Sequence, residues 1–427
     1  MKRIRLLALL VAMPLLLAAL AGEARADGMP FPKITAGDLE VRATAQRAVV
    51  WLRNGTWEVH IQPVFDREQT GAAWVVPWPV QPIIHAGNAD LFDQLELITS
   101  PAFLEYCMPA DTGGGGCGTK YAGDNGGFDT KSAEGSVVIW DRGTVGQLDY
   151  VVLSAGDGDD LVTWLETNEY AVSADAAAAI TVFEIEEQFF FVATLSPDAD
   201  PALPHVPVRF VLPDLVDGTY PLRLTGLAVP PGEALDLTLW VIAPTEGYSQ
   251  SYLPLTHSYS IPEGQPRNRD AFDANLTAFF ADNGADHLAL LYSLDVSNDL
   301  LGDTRCVENY TSPGPGYACV SYSELGITPP AVWAPEMQAV RDGGGWLQRY
   351  QGRMDALAMT EDLVFVQSTE SMPVKGPFYY HDTGTCPSED DEYVGCSVAR
   401  PFRHASWFLL TAAVLLLLGL GVFRRLR

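Results

Sequence analysis

The sequence predicts an α+β fold: a β-rich, sandwich-like body with short helices, followed by one C-terminal transmembrane helix. Three observations point there. Segments rich in β-branched and aromatic residues recur between turn signals across residues 27–245. Between them lie short stretches whose apolar residues return at helical spacing. Near the end, Ala405 to Phe423 runs 19 residues without a charge, enough to cross about 30 Å of hydrocarbon.

The first strand signal is the clearest. Ala48 to Leu52 and Trp57 to Ile61 flank Asn54-Gly55, and Asn-Gly supplies the positive φ angles of a type I′ hairpin turn. Trp74 to Pro79 is a third extended segment, whose prolines place its end at an edge or exit of a sheet. Asp90 opens a short helix with Leu91, Leu95 and Ile98 on one face, and Pro101 lies beyond its end. Val137 to Trp140 and Leu148 to Leu153 read as strands, and the second runs into an acidic turn, Asp157 to Asp160, ahead of a helix over Leu161 to Leu165. That turn lacks EF-hand ligand spacing, so its acids are expected to cap the helix. Ser173 is the expected N-cap of a second short helix through Ala179.

Phe189 to Leu195 has the continuous apolar character of a strand buried on both faces, whereas Leu222-Arg223-Leu224 and Leu235 to Val241 alternate as half-buried strands. Beyond Pro244 the pattern loosens. A helix is expected over Asp270 to Asp282, a strand over Leu288 to Leu294, turns from Pro313 to Pro335, a basic helical piece from Trp346 to Leu357, and a strand over Asp362 to Val366. The resulting division is a module over 27–245, a second α+β portion over 246–370 packed on the first, an acidic stalk over 371–404, the membrane helix over 405–423 and a basic tail over 424–427. Nothing along the body repeats.

The ends give an address. Lys2, Arg3 and Arg5 precede an apolar core from Leu6 to Leu20, and Ala24-Arg25-Ala26 has the small-x-small form of a signal peptidase site. A signal peptide over 1–26 and a mature chain from Asp27 are expected. At the other end Arg424, Arg425 and Arg427 follow the apolar span, which puts them in the cytoplasm and the body outside it. The membrane is therefore one expected partner.

Charge narrows the others. The whole chain carries −28, and residues 27–399 hold 17 basic against 53 acidic residues, a net charge of −36. So acidic a surface repels phosphate backbones, which excludes nucleic acid. An envelope protein or polysaccharide is the expected partner instead. In an oxidising compartment the six cysteines suggest disulfides, and their spacing is local. Cys107 and Cys117 bracket a glycine-rich loop, Cys306 and Cys319 a loop of proline and glycine, and Cys386 lies near Cys396. Closing such loops stabilises by about 2–4 kcal/mol. Zinc does not fit the spacing, and no cofactor is expected.

Catalytic motifs are sparse. Gly113, Gly115 and Gly118 fit a dinucleotide pattern but have no strand before them or helix after. His60 reads as a strand-face residue. Asp111-Thr112-Gly113 and Asp382-Thr383-Gly384 repeat the triplet that aspartic proteases pair, so a hydrolase using Asp111 and Asp382 is the alternative to a binding or structural module. Their surroundings differ from a protease, since neither aspartate follows a hydrophobic strand.

Taken in order, Gln46 to Val50 with its hairpin, Trp74 to Pro79, Tyr150 to Ser154, the Leu161 to Tyr170 helix, Phe189 to Thr194 and Thr360 to Phe365 resemble a secreted bacterial family of unknown function, DUF2330. The likeness covers roughly residues 27–370 and implies no activity. Many members carry a cysteine just after the signal, whereas this chain has Asp27-Gly28-Met29-Pro30. The tail resembles a myxobacterial surface-sorting signal: Gly395-Cys396-Ser397, an apolar span, then arginines. That resemblance implies processing near Cys396 by a membrane protease, with lipid attachment. A Cys386 to Cys396 disulfide is the competing reading, because one sulfur cannot serve both ends.

Overall fold

The computed structural model describes residues 29–34, 45–62, 72–108, 132–134, 137–156, 159–195, 207–229, 232–244, 248–250, 256–258, 268–284, 287–296, 304–309, 316–322, 328–367 and 378–385. These residues are β-rich with a few short helices, an α+β architecture. They fall into two compact units.

In the larger unit two sheets face each other. One has six antiparallel strands in the order β1 (Met29–Phe31), β4 (Ala73–Trp78), β10 (Phe189–Leu195), β9 (Leu148–Ala155), β8 (Val137–Val145) and β7 (Ser132–Glu134). The other is mixed: β15 (Thr256–Ser258), β16 (Leu288–Asp295), β19 (Trp346–Asp355), β13 (Ala234–Ala243), β2 (Ala45–Arg53), β3 (Thr56–Ile61), β11 (Val208–Leu212) and β5 (Ile83–Ala86). Asn54 and Gly55 take φ of 52° and 80° between β2 and β3, as the hairpin reading requires. Pro77 pairs with Phe190 on one side, while β1 reaches only from Ala73 to Val75, so the proline lies past the end of that partner strand.

The facing sides of the sheets form the main core. Trp74, Trp78 and Phe191 from the first sheet meet Trp57, Val59 and Phe210 from the second. Their rings meet at angles: Phe191 and Phe210 are 5.0 Å apart at 90°, and Trp78 and Phe210 4.8 Å apart. A small sheet of β12 (Gly218–Tyr220), β20 (Leu363–Gln367) and β14 (Tyr248–Gln250) adds Tyr220, Leu363 and Phe365 to this core. Gly218 is needed there, since a β-carbon would stand 2.7 Å from the Trp57 ring.

Helices cover the outer sides. Over the six-stranded sheet lie α2 (Asp160–Thr167), α3 (Ala174–Ile185) and the single turn α4 (Arg223–Gly226), whose Leu161, Leu165, Ile180, Phe183 and Leu224 pack on Phe190 and Val192. Ser173 Oγ accepts from Ala176 N at 3.2 Å, the expected cap, and the helix runs on to Ile185. Asp159 holds the N-cap position of α2 without a capping side-chain bond, and Asp160 instead accepts from the Gly156 N–H at 3.3 Å. Over the eight-stranded sheet, α1 (Ala89–Thr99) buries Leu91, Phe92, Leu95 and Ile98, capped by Asn88, with α6 (Pro335–Gly343) beside it. Another helix, α5 (Arg269–Asn283), fulfils its reading.

Besides the acid cap missing from α2, three expectations are overturned, and the first is the turn-rich reading of Pro313 to Pro335, since Gly316–Ser321 is a strand paired with Thr304–Asn309. Trp346 to Asp355 is strand β19, not a helix, because it fills the place between β13 and β16. Leu222-Arg223-Leu224 enters a helical turn, not a strand, because Asp362 Oδ1 accepts from the Leu222 and Arg223 N–H groups at 2.9 and 3.0 Å.

The smaller unit contains the parallel pair of β6 (Ala102–Met108) with β21 (Phe378–Thr385) and the hairpin of β17 (Thr304–Asn309) with β18 (Gly316–Ser321). The signal peptide over 1–26 and the apolar span over 405–423 lie outside the described residues. Among the described residues no helix is long and apolar enough to cross a membrane.

Candidate functional site

Strand β3 alternates strictly. Trp57, Val59 and Ile61 enter the core between the sheets, so Glu58 and His60 project from the opposite side of the same sheet. Register then decides their neighbours. His60 lies opposite Val49 of β2 and Arg209 of β11, and Arg209 lies opposite His85 of β5. His60, Arg209 and His85 thus form a row across three adjacent strands, each about 4.8 Å from the next. Glu58 is one step along, opposite Trp51, with Arg53 at the end of β2.

The charges converge on one carboxylate. Glu58 Oε2 is 3.6 Å from His60 Nε2 and 3.7 Å from Arg209 Nη1, and Glu58 Oε1 is 3.9 Å from Arg53 Nη1. The carboxylate side chain is 10% exposed, Arg209 25% and Arg53 35%, while His60 is wholly buried. The Trp51 ring lies 6.5 Å from the imidazole and 5.0 Å below the Arg53 guanidinium. Burial is the largest influence on Glu58 and pushes its carboxyl up, but His60, Arg209 and Arg53 together hold it below the usual range. His85 is held below its usual value by burial and by Arg209. Glu58 is therefore an anion and His85 a neutral imidazole at pH 7.

Both His60 nitrogens, Glu58 Oε2 and Arg209 Nε are buried without a hydrogen-bond partner. Each such group costs about 1–3 kcal/mol. A patch selected for stability alone would be apolar here, like Val49 beside it. Buried polar groups left unpaired are where a binding or catalytic role is to be sought.

Two other polar clusters have clear structural work. Arg349 joins Glu96 at 3.0 Å and Ser100 Oγ at 3.1 Å, and Trp240 Nε1 donates to Thr99 Oγ1 at 2.9 Å. These bonds tie α1 to the sheet. The second cluster, Asp362 with Arg223 and Glu186, anchors α4.

The cysteines come out unevenly. Cys306 and Cys319 are direct cross-strand partners in the β17–β18 hairpin, and Cys107 lies on β6. Cys117, Cys386, Cys396 and Asp111 lie outside the described residues. Asp382 is on β21, opposite Tyr106 and after Phe378, Tyr379 and Tyr380 of the same strand, which corrects the expectation that it follows no hydrophobic strand. Directly opposed cysteines have backbone separations suited to a disulfide. Non-reducing peptide mapping of the protein is expected to recover Cys306 linked to Cys319; linkage of either to Cys107 or Cys117 would refute local pairing. Among the described residues no three His, Cys, Asp or Glu side chains group as metal ligands.

The fold places the cluster within the part of the chain that comparison recognises. Residues 33–253 match the model of a family described as an uncharacterized protein conserved in bacteria, DUF2330. The chain belongs to that family. The DUF2330 match contains Arg53, Glu58, His60, His85 and Arg209, and it ends before β16 and β19. It is shorter than the stretch to residue 370 that the sequence pattern suggested. No curated protein matches the chain. A solved structure, a mutated baculovirus P35 after caspase cleavage, aligns over 76% of this chain and 99% of its own at 8% identity, with a TM-score of 0.29. So low a score carries no argument.

From the sequence alone His60 reads as an ordinary strand-face residue. The signal that could have found the site is Glu58-x-His60 on a strand, which puts acid and imidazole on one face. Arg209 and His85 join them only through pairing, which the sequence does not display.

Proposed function

We propose that this DUF2330 protein is an exported, membrane-held envelope protein whose β-rich body is a binding module for an envelope protein or polysaccharide. The signal-like N-terminus, the apolar run before the final arginines and the acidic body support the address. One observation carries the binding role: a wholly buried imidazole with both nitrogens unpaired beside an ionised glutamate and two arginines. The surrounding charges favour the ionised carboxylate, but the unmade hydrogen bonds are a cost that a ligand completing them would relieve.

The test uses the full chain, solubilised in mild detergent, and immobilised envelope material from cells lacking the protein. Native protein should be retained and heat-unfolded protein should not. His60→Leu, which replaces the unpaired nitrogens by an apolar side chain of similar size, should fold with equal or greater stability and be retained about tenfold more weakly. Retention equal to that of the native protein would remove the site from the proposal, and no retention of native protein on any envelope fraction would remove the binding role. Recovery of the unprocessed chain from the cytoplasm would remove the address.

A further inference from the structure

We infer that the face formed by Arg53, Glu58, His60, Arg209 and His85 is a binding site for a carboxylate, the anionic group of the ligand whose existence the binding role assumes. Two guanidinium groups bring five N–H donors each and accept nothing, and the two imidazoles add at least one N–H each, against one carboxylate and at most one acceptor nitrogen on each imidazole. A metal needs the reverse balance, acceptors in excess.

The internal acceptor is also poorly used. Its three contacts, at 3.6, 3.7 and 3.9 Å, all lie outside hydrogen-bonding distance. Arg209 Nε is left with no acceptor, and neither His60 nitrogen has a hydrogen-bond partner. Glu58 therefore holds the arginines by charge without saturating them.

Charge sets the class of anion. Two guanidinium charges against one carboxylate leave a surplus of one positive charge, set in a body whose net charge is −36 over residues 27–399. A single carboxylate neutralises that surplus. A phosphate dianion would overshoot it and meet the acidic field of the whole body. Planar, paired N–H donors of an arginine also match a planar carboxylate in a bidentate fork.

Access comes from the rim. Arg53 and Arg209 are 35% and 25% exposed, and Ile83 beside them on the edge strand is 41% exposed, while Glu58 and His60 lie beneath. A carboxylate arriving from solvent meets the guanidinium groups first. Glu58 then competes with it for the same donors.

That competition gives a test that a structural role would not pass. Equilibrium dialysis of the full chain in detergent, with labelled acetate and labelled glucuronate, should show saturable binding of both, and inorganic phosphate at equal concentration should not displace them. Arg209→Gln should weaken binding about tenfold, and so should Arg53→Gln, a half-buried position at the end of β2 where a neutral side chain of similar length keeps the packing on Trp51. Glu58→Gln should act in the opposite direction and tighten binding about tenfold, because the internal competitor is gone. No saturable uptake of either carboxylate, equal competition by phosphate, or weakening by Glu58→Gln would each overturn the inference. Envelope retention of the native protein without carboxylate uptake would overturn this inference alone and leave the binding role standing.

Discussion

Replacing Phe210 by alanine is expected to lower the stability of the larger unit by about 3–5 kcal/mol, the usual range for emptying a buried aromatic site. The residue is wholly buried on β11, and its ring touches Trp74 at 6.3 Å, Trp78 at 4.8 Å and Phe191 at 5.0 Å. Those three belong to the six-stranded sheet, so Phe210 is where the eight-stranded sheet grips the other. Angled ring contacts of this kind add about 0.5–1.5 kcal/mol each beyond area burial. Neighbouring tryptophans are too large and too well packed to collapse into the space, so the cavity persists. Phe210→Leu keeps most of the volume and should lose less than half as much. Urea midpoints followed by tryptophan fluorescence give the comparison, and an alanine variant within about 1 kcal/mol of wild type would show that the two sheets are not held together there.

Phe210 also shows what kind of information a sequence carries. The alternation Trp57, Val59, Ile61 reads directly as the inward side of a strand; Val208, Phe210 and Leu212 alternate in the same way, but that strand is not among the expected elements and comes from the structure. Local chemistry was equally legible at Asn54-Gly55, whose turn needs only the two residues, and at Ser173, which caps its helix with its own hydroxyl. Failure came where a third element decides. In Trp346 to Asp355 the residues Trp346, Leu347, Tyr350 and Met354 return at near-helical intervals, and a strand buried on both sides shows no alternation to correct that reading. Strand neighbours β13 and β16 supply the hydrogen bonds that settle the matter. Similarly, Glu58 and His60 could be placed on one face from spacing alone, but Arg209 arrives from far along the chain and His85 from another strand still. The candidate site was therefore half legible: its buried pair lies in one strand and Arg53 across the predicted hairpin, while Arg209 and His85 are placed by topology.

The turn at Arg223 is likewise decided by a distant residue, and it yields the second large effect. Asp362, 12% exposed, accepts the Leu222 and Arg223 N–H groups through Oδ1 and the Arg223 Nε–H through Oδ2 at 3.2 Å. Arg223 in turn donates to Glu186 at 3.1 and 2.7 Å and lies 4.2 Å over the Phe183 ring. One carboxylate thus fixes a four-residue helix that has no capping side chain of its own. Asp362→Ala orphans two backbone donors and one charged donor, and should cost about 3 kcal/mol. Asp362→Asn tells the hydrogen bonds from the charge. Burial is the dominant influence on this carboxyl and pushes it above its ordinary value of 3.8, even against Arg223, so the ionised form gains little from being folded. The amide keeps an oxygen for both backbone donors, and the Asn variant should stay within about 1 kcal/mol of wild type at pH 7. The sign of the pH dependence follows from linkage. With its folded-state value raised, Asp362 contributes stability that is fully present below pH 3.8 and is lost as pH rises through that raised value. Unfolding midpoints of wild type relative to Asp362→Asn should therefore be more favourable at low pH than at pH 7. A ratio that moved the other way, or an Asn variant as damaged as the Ala variant, would mean that the ion pair with Arg223, and not the two backbone bonds, holds the turn.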